Sequence, residues 1–134
     1  MDRETADRIR AEAKRFMEDY CRTFDANRGD LVNLYREESV MNFEDREMIK
    51  GKEAIVAKLN SLQQFRYQIS HIDCVPFAPT RGAIAQVMGD IWVDGKPDAL
   101  FLGQSFLLHP TPQGSFWIAL ENWMTVDRSQ RVLP

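Results

Sequence analysis

His71 and Asp73 stand two residues apart in "YQISHIDCVPF", a run that alternates like a strand, so both side chains fall on one strand face. An imidazole beside a carboxylate is an acid–base pair. In an apolar cone, a base with its pKa raised by burial could take a proton from a small substrate. Glu44 and Asp90 are the other carboxylates from which such a site would be assembled. Any polar strand face supplies pairs of this kind, and a solvated pair at a strand end is the simpler account. The sequence contains no nucleophile elbow, no Gly-rich phosphate loop and no HExxH. Gly51-Lys52 has no glycine five residues before the lysine and reads as a helix start. With two His and two Cys, unclustered, a metal set is not expected. Cys21 and Cys74 read as reduced thiols of a cytosolic or nuclear protein. No cofactor is called for, and the chain is not read as an enzyme.

A second group of residues suits binding. Phe43 lies on an alternating hairpin with Met41, and the turn after it carries Glu44, Asp45 and Glu47. Asp94 ends the Trp92-bearing strand at the "VDGKP" turn. If that strand end lies near the hairpin, Glu44 and Asp94 rim an apolar depression. Such a mouth fits a partner that inserts an aromatic ring flanked by Lys or Arg, the rim acids steering association and choosing partners. Asp and Gly are also good turn residues, so a solvated turn explains the same letters.

Composition narrows the partners. The 134 residues are expected to form one domain spanning 1–134, with 44% hydrophobic and 28% charged residues, an ordinary globular mix. A net charge of −3 argues against nucleic acid, which needs a concentrated basic patch. Arg8, Arg10, Lys14 and Arg15 sit among acids on a helix and read as a solvated face. The opening "MDRETADRIRAEAKRF" is charged from its second residue, so a secretory signal is not expected. No stretch approaches the roughly 18 apolar residues of a membrane span, and membrane insertion is not expected.

The elements that must position these residues follow from periodicity. Ile9, Ala13, Phe16, Met17, Tyr20 and Phe24 recur at spacings of three and four, one stripe on a helix from about Thr5 to Phe24. "ANRGD" stops it, with Gly29 as a C-cap and Asp30 as the next N-cap, and a short helix carries Leu31, Leu34 and Tyr35. "SVMNF" and "REMIK" are two short strands around Glu44-Asp45, and "KEAIVAKLNSL" is a helix with Ile55, Leu59 and Leu62 on one side. Four further strands, Phe65–Phe77, Ala83–Val93, Ala99–His109 and Phe116–Val126, are separated by Pro- and Gly-bearing turns. Pro76 and Pro79 mark an end or edge of the first of them. Helices first and a meander afterwards make an α+β domain with the helices on one sheet face.

Strand alternation predicts a second covered face. Ala83, Ala85, Val87, Ile91 and Val93 share one side of their strand, yet Ile84, Met88 and Trp92 occupy the other. In the last strand Phe116, Ile118, Leu120 and Met124 oppose Trp117, Ala119 and Trp123. A sheet with one wet face alternates more cleanly, so a second subunit or partner is expected on the outer face.

The stretch "FDANRGDLVNLYREESVMNFEDREMIKGKEAIVAKLNSL" resembles the nuclear transport factor two family, with its FD-x-x-R-x-x-L-x-x-LY start, aromatic-Glu pair, G-K-x-x-I and KL-x-SL. "QISHID", "VMGDIWVDGKP", "GQSFLL" and "FWIALEN" follow in matching order, and the likeness runs from about Ala13 to Val126. It implies a cone-shaped α+β fold: one long and two shorter helices packed on a strongly bent antiparallel sheet. It further implies a homodimer through the outer sheet face, with Trp123, Gln86 and Gln104 on or near that interface. The implied function is carriage of the small GTPase Ran, in its GDP form, into the nucleus, with contacts to the Phe-Gly repeats of nuclear-pore proteins. The implied location is cytoplasm and nucleus, enriched at the pore.

By this resemblance Phe43 and Glu44 are the rim aromatic and acid, Asp94 a second rim acid, and Leu62, Phe65, Ile91 and Leu100 the apolar cavity that receives an aromatic of Ran. The chain departs from the family at four places. Phe43 stands where Trp is usual, Lys96 replaces a rim acid, Ile9 replaces a helix aromatic that clamps Phe-Gly repeats, and "ENWMT" replaces Asn-Asp-x-Phe-Arg. "YQISHIDCVPF" also resembles the small export adaptor of the same fold, which forms a heterodimer with a messenger-RNA export receptor. Enzymes on this cone form a third class.

Overall fold

In the computed structural model, residues 1–62, 65–94 and 97–127 are described, with the side chain of Phe65 excepted. Helix α1 runs Arg3–Ala26, started by Asp2, whose carboxylate accepts the Thr5 N–H at 2.7 Å. Its stripe does what the spacing predicts: Ile9, Ala13, Met17, Tyr20 and Phe24 are buried. The stop is made differently. Asn27, rather than Gly29 and Asp30, serves both sides of the break. Its backbone N–H reaches Thr23 O at 2.8 Å, and its side chain accepts the Gly29 N–H to start a 3-10 helix, Arg28–Leu34. One Asx side chain can satisfy an orphan donor two residues on, so no glycine is required.

Strand β1 (Tyr35–Phe43) then turns into β2 (Glu47–Lys50). Glu44 and Asp45 both hold positive φ, 54° and 56°, and Arg46 N–H closes the turn on Phe43 O at 3.1 Å. Gly51, at φ 93°, leads into α2 (Lys52–Ser61), which buries Ile55, Val56 and Leu59. Strands β3 (Phe65–Phe77), β4 (Gly82–Val93), β5 (Leu100–Pro110) and β6 (Phe116–Val126) complete one six-stranded sheet of order β2-β1-β6-β5-β4-β3. β3 is an edge strand, which suits Pro76 within it.

The expected antiparallel pairing holds within the β1–β2 hairpin and through β3, β4, β5 and β6, whereas β1 pairs parallel with β6, so the sheet is mixed. Hairpin signals report only on neighbours in sequence, and these two strands have none between them. The three helices and this sheet form the cone-like α+β architecture. α1 lies against β3 and β4, and α2 against β1 and β2. Aromatic rings lock the helix to the sheet: Tyr20 meets Phe106 at 5.1 Å, and Phe24 meets Tyr67 at 5.0 Å and Trp123 at 5.7 Å. Burial of each such side chain contributes about 1.5–3 kcal/mol.

The sheet register breaks at three places among the described strands, in β1 between Tyr35 and Val40, in β3 and in β6, and these breaks reset which residues face the core. In β6, Leu107 pairs with Leu120 and Leu108 with Ile118, leaving Ala119 without a partner. One extra residue inverts the alternation beyond it. Phe116, Ile118, Glu121 and Trp123 are therefore buried, while Leu120 and Met124 are exposed. This corrects the expectation that Trp123 faces outward and that Leu120 and Met124 share the inner face with Ile118. In β3 the corresponding break lies between Ile69 and His71.

Candidate functional site

The wide hollow at one end of the sheet is built where three elements meet. β1 delivers Phe43 to its tip, and the left-handed turn after it swings Glu44 back toward β6, where Glu44 N–H bonds Trp123 O at 3.0 Å. The Thr125 hydroxyl donates to the Glu44 carboxylate, so this acid is held at the rim by a side chain as well as by backbone. α2 contributes Lys58 and Ser61, with Leu62 at its end; β4 contributes Ile91 and Val93, β5 contributes Leu100, and β6 contributes Trp123 and Thr125. Together they enclose a cavity of about 360 Å³ with apolar walls.

Trp123 forms the inner wall of this cavity and is fixed from behind. Its Nε1–H donates to Glu121 Oε2 at 2.5 Å, and its ring lies 5.7 Å from both Phe43 and Phe24. Glu121 is fully buried and takes two further hydrogen bonds, from Tyr20 Oη at 3.0 Å and Tyr35 Oη at 2.5 Å. Burial pushes the Glu121 carboxyl above its ordinary value, while the bonds from Tyr35, Trp123 and Tyr20 pull the other way. The same desolvation raises Tyr20 and Tyr35, so both hydroxyls keep their protons and donate them to Glu121.

At the opposite wall Lys58 Nζ lies 4.6 Å from the centre of the Phe43 ring and 2.7 Å from Glu47 Oε1. Neither interaction is visible in a single motif. Helical spacing does put Lys58 on the Leu62 side of α2, four residues away, a signal the sequence held.

Of the residues expected at the mouth, Phe43, Glu44, Leu62, Ile91 and Leu100 come together around this cavity. Phe65 enters the sheet opposite Val93, at the same end. Asp94 is exposed just beyond Val93 and does not line the cavity. Lys96 lies outside the described residues.

The other expected sites change. Gln86 is exposed on the outer sheet face, where it lines a shallow hollow of about 300 Å³ with Met88, Phe101, Ser105, Asn122 and Met124. Gln104 and Trp123 border the same hollow from strands β5 and β6, but both residues are buried, 2% and 3% exposed, so neither presents a side chain to a partner there. The Tyr67 hydroxyl donates to Gln104 Oε1, while Gln104 Nε2 is buried with no hydrogen-bond partner among the described residues. Ile9 is 5% exposed and part of the core, and it reaches the surface at a small hollow of about 160 Å³ that it lines with Glu12, Pro110 and Phe116. His71 and Asp73 are exposed and outside the cavity, which removes the acid–base pair from any enclosed site. Asp90 is on the outer face, in register with Gln68 and Phe101. Among the described residues no group of three His, Cys, Asp or Glu side chains could hold a metal ion, and no helix is long and apolar enough to cross a membrane.

Comparison with known proteins agrees with this architecture. Residues 12–122 match the nuclear transport factor 2 domain. Nuclear transport factor 2B of Arabidopsis thaliana is 46% identical over 110 residues, covering 81% of this chain and 86% of that protein. The structure of nuclear transport factor 2 from Cryptosporidium parvum superimposes with a TM-score of 0.77 at 34% identity, covering 90% of this chain and 94% of that one. A chain of the C. albicans Mtr2–Mex67 M domain complex shares the fold with a TM-score of 0.73, at 17% identity over 91% of this chain and 97% of that one. By the extent of the domain match and the identity to its named relatives, this chain belongs to the nuclear transport factor 2 family.

Proposed function

We propose that the protein is a carrier of GDP-bound Ran between cytoplasm and nucleus, acting at the nuclear pore without catalysis. The observation that supports this most is the mouth itself: an aromatic–acid pair, Phe43 and Glu44, at the rim of an apolar cavity of about 360 Å³. The cavity suits an inserted aromatic side chain. Glu44 at the rim and Asp94 just beyond it suit basic residues on either side of that ring. Carriage through the pore requires engagement of Phe-Gly repeats, and the small hollow that Ile9 lines with Phe116 is the place for that contact.

The outer sheet face is assigned to a homodimer. It exposes Ile84, Leu120 and Met124 beside the hollow containing Gln86. Apolar side chains grouped this way on a sheet are a liability unless a second copy covers them.

Calorimetry of the purified protein against Ran loaded with GDP, and separately with a non-hydrolysable GTP analogue, tests the reading. Binding to the GDP form alone is expected. Glu44→Lys, which puts a cation where the partner's cation docks, is expected to abolish binding while leaving the circular-dichroism spectrum intact. Unchanged binding by that variant would remove Glu44 from the site.

A further inference from the structure

Lys58 puts a positive charge inside a mouth otherwise suited to receiving one. Its ammonium covers one face of Phe43 at 4.6 Å and pairs with Glu47 at 2.7 Å. The Lys58 side chain is 22% exposed and that of Glu47 is 52% exposed, so the pair sits at the solvent boundary of the cavity. A partner whose aromatic enters beside Phe43, with a basic residue alongside, meets these two groups already engaged with each other.

We propose that Lys58 is an internal stand-in for the partner's cation, and that Glu47 is a docking point for that cation which binding uncovers. The proposal rests on the reading that this cavity receives a basic, aromatic-bearing segment. On docking, the incoming Lys or Arg takes the Glu47 carboxylate, Lys58 swings toward solvent on its flexible stem, and the face of Phe43 is released to the inserted ring. Ion pairs this exposed, and cation–π interactions near a surface, are individually weak. That weakness is what makes exchange possible. The same arrangement rejects partners that bring an aromatic ring without a cation, because nothing then replaces the Lys58–Glu47 ion pair and the Lys58–Phe43 interaction.

Lys58→Met keeps an unbranched apolar stem beside Phe43 and removes the charge. It is expected to tighten binding of GDP-loaded Ran about five- to tenfold, the combined strength of the ion pair and the cation–π interaction that the wild type must break on docking. Glu47→Gln is expected to weaken binding, and the gain from Lys58→Met should shrink when Glu47 is also Gln. Lys52→Met, on the same helix but outside the cavity, is the charge-matched control and should change affinity less than about twofold. Equal gains at Lys52 and Lys58 would reduce the effect to net charge and overturn the exchange. Weaker or unchanged binding by Lys58→Met would overturn it as well.

A second arm works without Ran. The dipeptide amide Arg-Phe-NH2 is titrated into 15N-labelled protein while the Trp123 indole N–H resonance is followed. Tighter binding to Lys58→Met than to wild type supports the exchange, and equal affinity refutes it. Failure of wild-type protein to bind GDP-Ran, by contrast, strikes only the reading on which the proposal rests.

Discussion

Glu121→Gln tests whether the buried carboxylate behind the cavity wall is held as the structure indicates. Three donors converge on it: Tyr35 Oη on one oxygen, Tyr20 Oη and Trp123 Nε1 on the other. A glutamine offers one oxygen. An indole N–H can only donate, so the oxygen must turn to Trp123, and the amide NH2 then faces Tyr35. Tyr35 can rotate to accept, but its own proton then loses a carboxylate acceptor in a fully buried site. A lost hydrogen bond of this kind costs about 1.5–3 kcal/mol. With a domain of this size that is a fall in melting temperature of about 6–10 °C.

The pH dependence gives a sharper test. The folded pKa of Glu121 is raised above its ordinary 4.5, so its favourable contribution is fully present below that value and is lost as pH rises through the folded pKa. Gln does not titrate. The stability gap between wild type and Glu121→Gln should therefore be widest near pH 4.5 and narrow as pH rises. The slope can reach about 1.4 kcal/mol per pH unit. Urea unfolding of both proteins from pH 4.5 to 8, at one protein concentration, measures it, and titrations common to both cancel in the difference. A gap that widens with pH would mean that the three donors outweigh burial and depress the pKa. That result would refute the assignment.

Gly89→Ala should be strongly destabilising, by about 3 kcal/mol or more, because an added Cβ would sit 2.2 Å from Gln68 O in the neighbouring strand. A urea midpoint within error of wild type would show that β3 can move aside. Met124→Glu places a charge on the exposed apolar face and should give soluble, folded monomer by light scattering if that face is the dimer interface; an unaltered dimer would place the interface elsewhere. Trp123→Glu, by contrast, should unfold the protein rather than dissociate it, since that side chain is 3% exposed within one chain. Cys21 and Cys74, both pushed up to about 11 by burial, should react with a thiol reagent far more slowly at pH 8 than a free cysteine does. Rapid labelling of the folded protein would contradict their placement.

Much of the fold was legible because it rests on local periodicity. The α1 stripe from Ile9 to Phe24 needs only the helical repeat, and the four later strands begin and end within a residue or two of their turn signals. Facing was not legible past Ala119. A bulge leaves no mark in the pattern of letters, yet it reverses every side chain beyond it, and Trp123 and Met124 exchange sides. Gln104 and Glu121 were missed as core residues for a related reason. What makes each tolerable inside is a partner on a distant element, Tyr67 for one and Tyr20 and Tyr35 for the other. The grouping of Phe43 with Leu62, Ile91 and Leu100 came from family likeness, since spacing alone left a solvated turn as good an account.

The parallel seam between β1 and β6 has a consequence for how the chain comes to be folded at all. Ser39 Oγ bonds Ile118 O across 79 residues, and Tyr20 reaches Glu121 across 101. A nascent chain leaving the ribosome has α1, the β1–β2 hairpin and α2 in hand long before the strand that joins them to the meander exists. β6 supplies the inner neighbour of β1, the back wall of the cavity and the acceptor for two core tyrosines in one arrival. Pairings of such high sequence separation make folding slow. Until that strand docks, the aromatic stripe of α1 has only β3–β5 to cover it, a window in which chaperones would be expected to act. A premature stop anywhere before residue 116 therefore yields no partial binding mouth, only an uncovered helix and an unpaired strand edge.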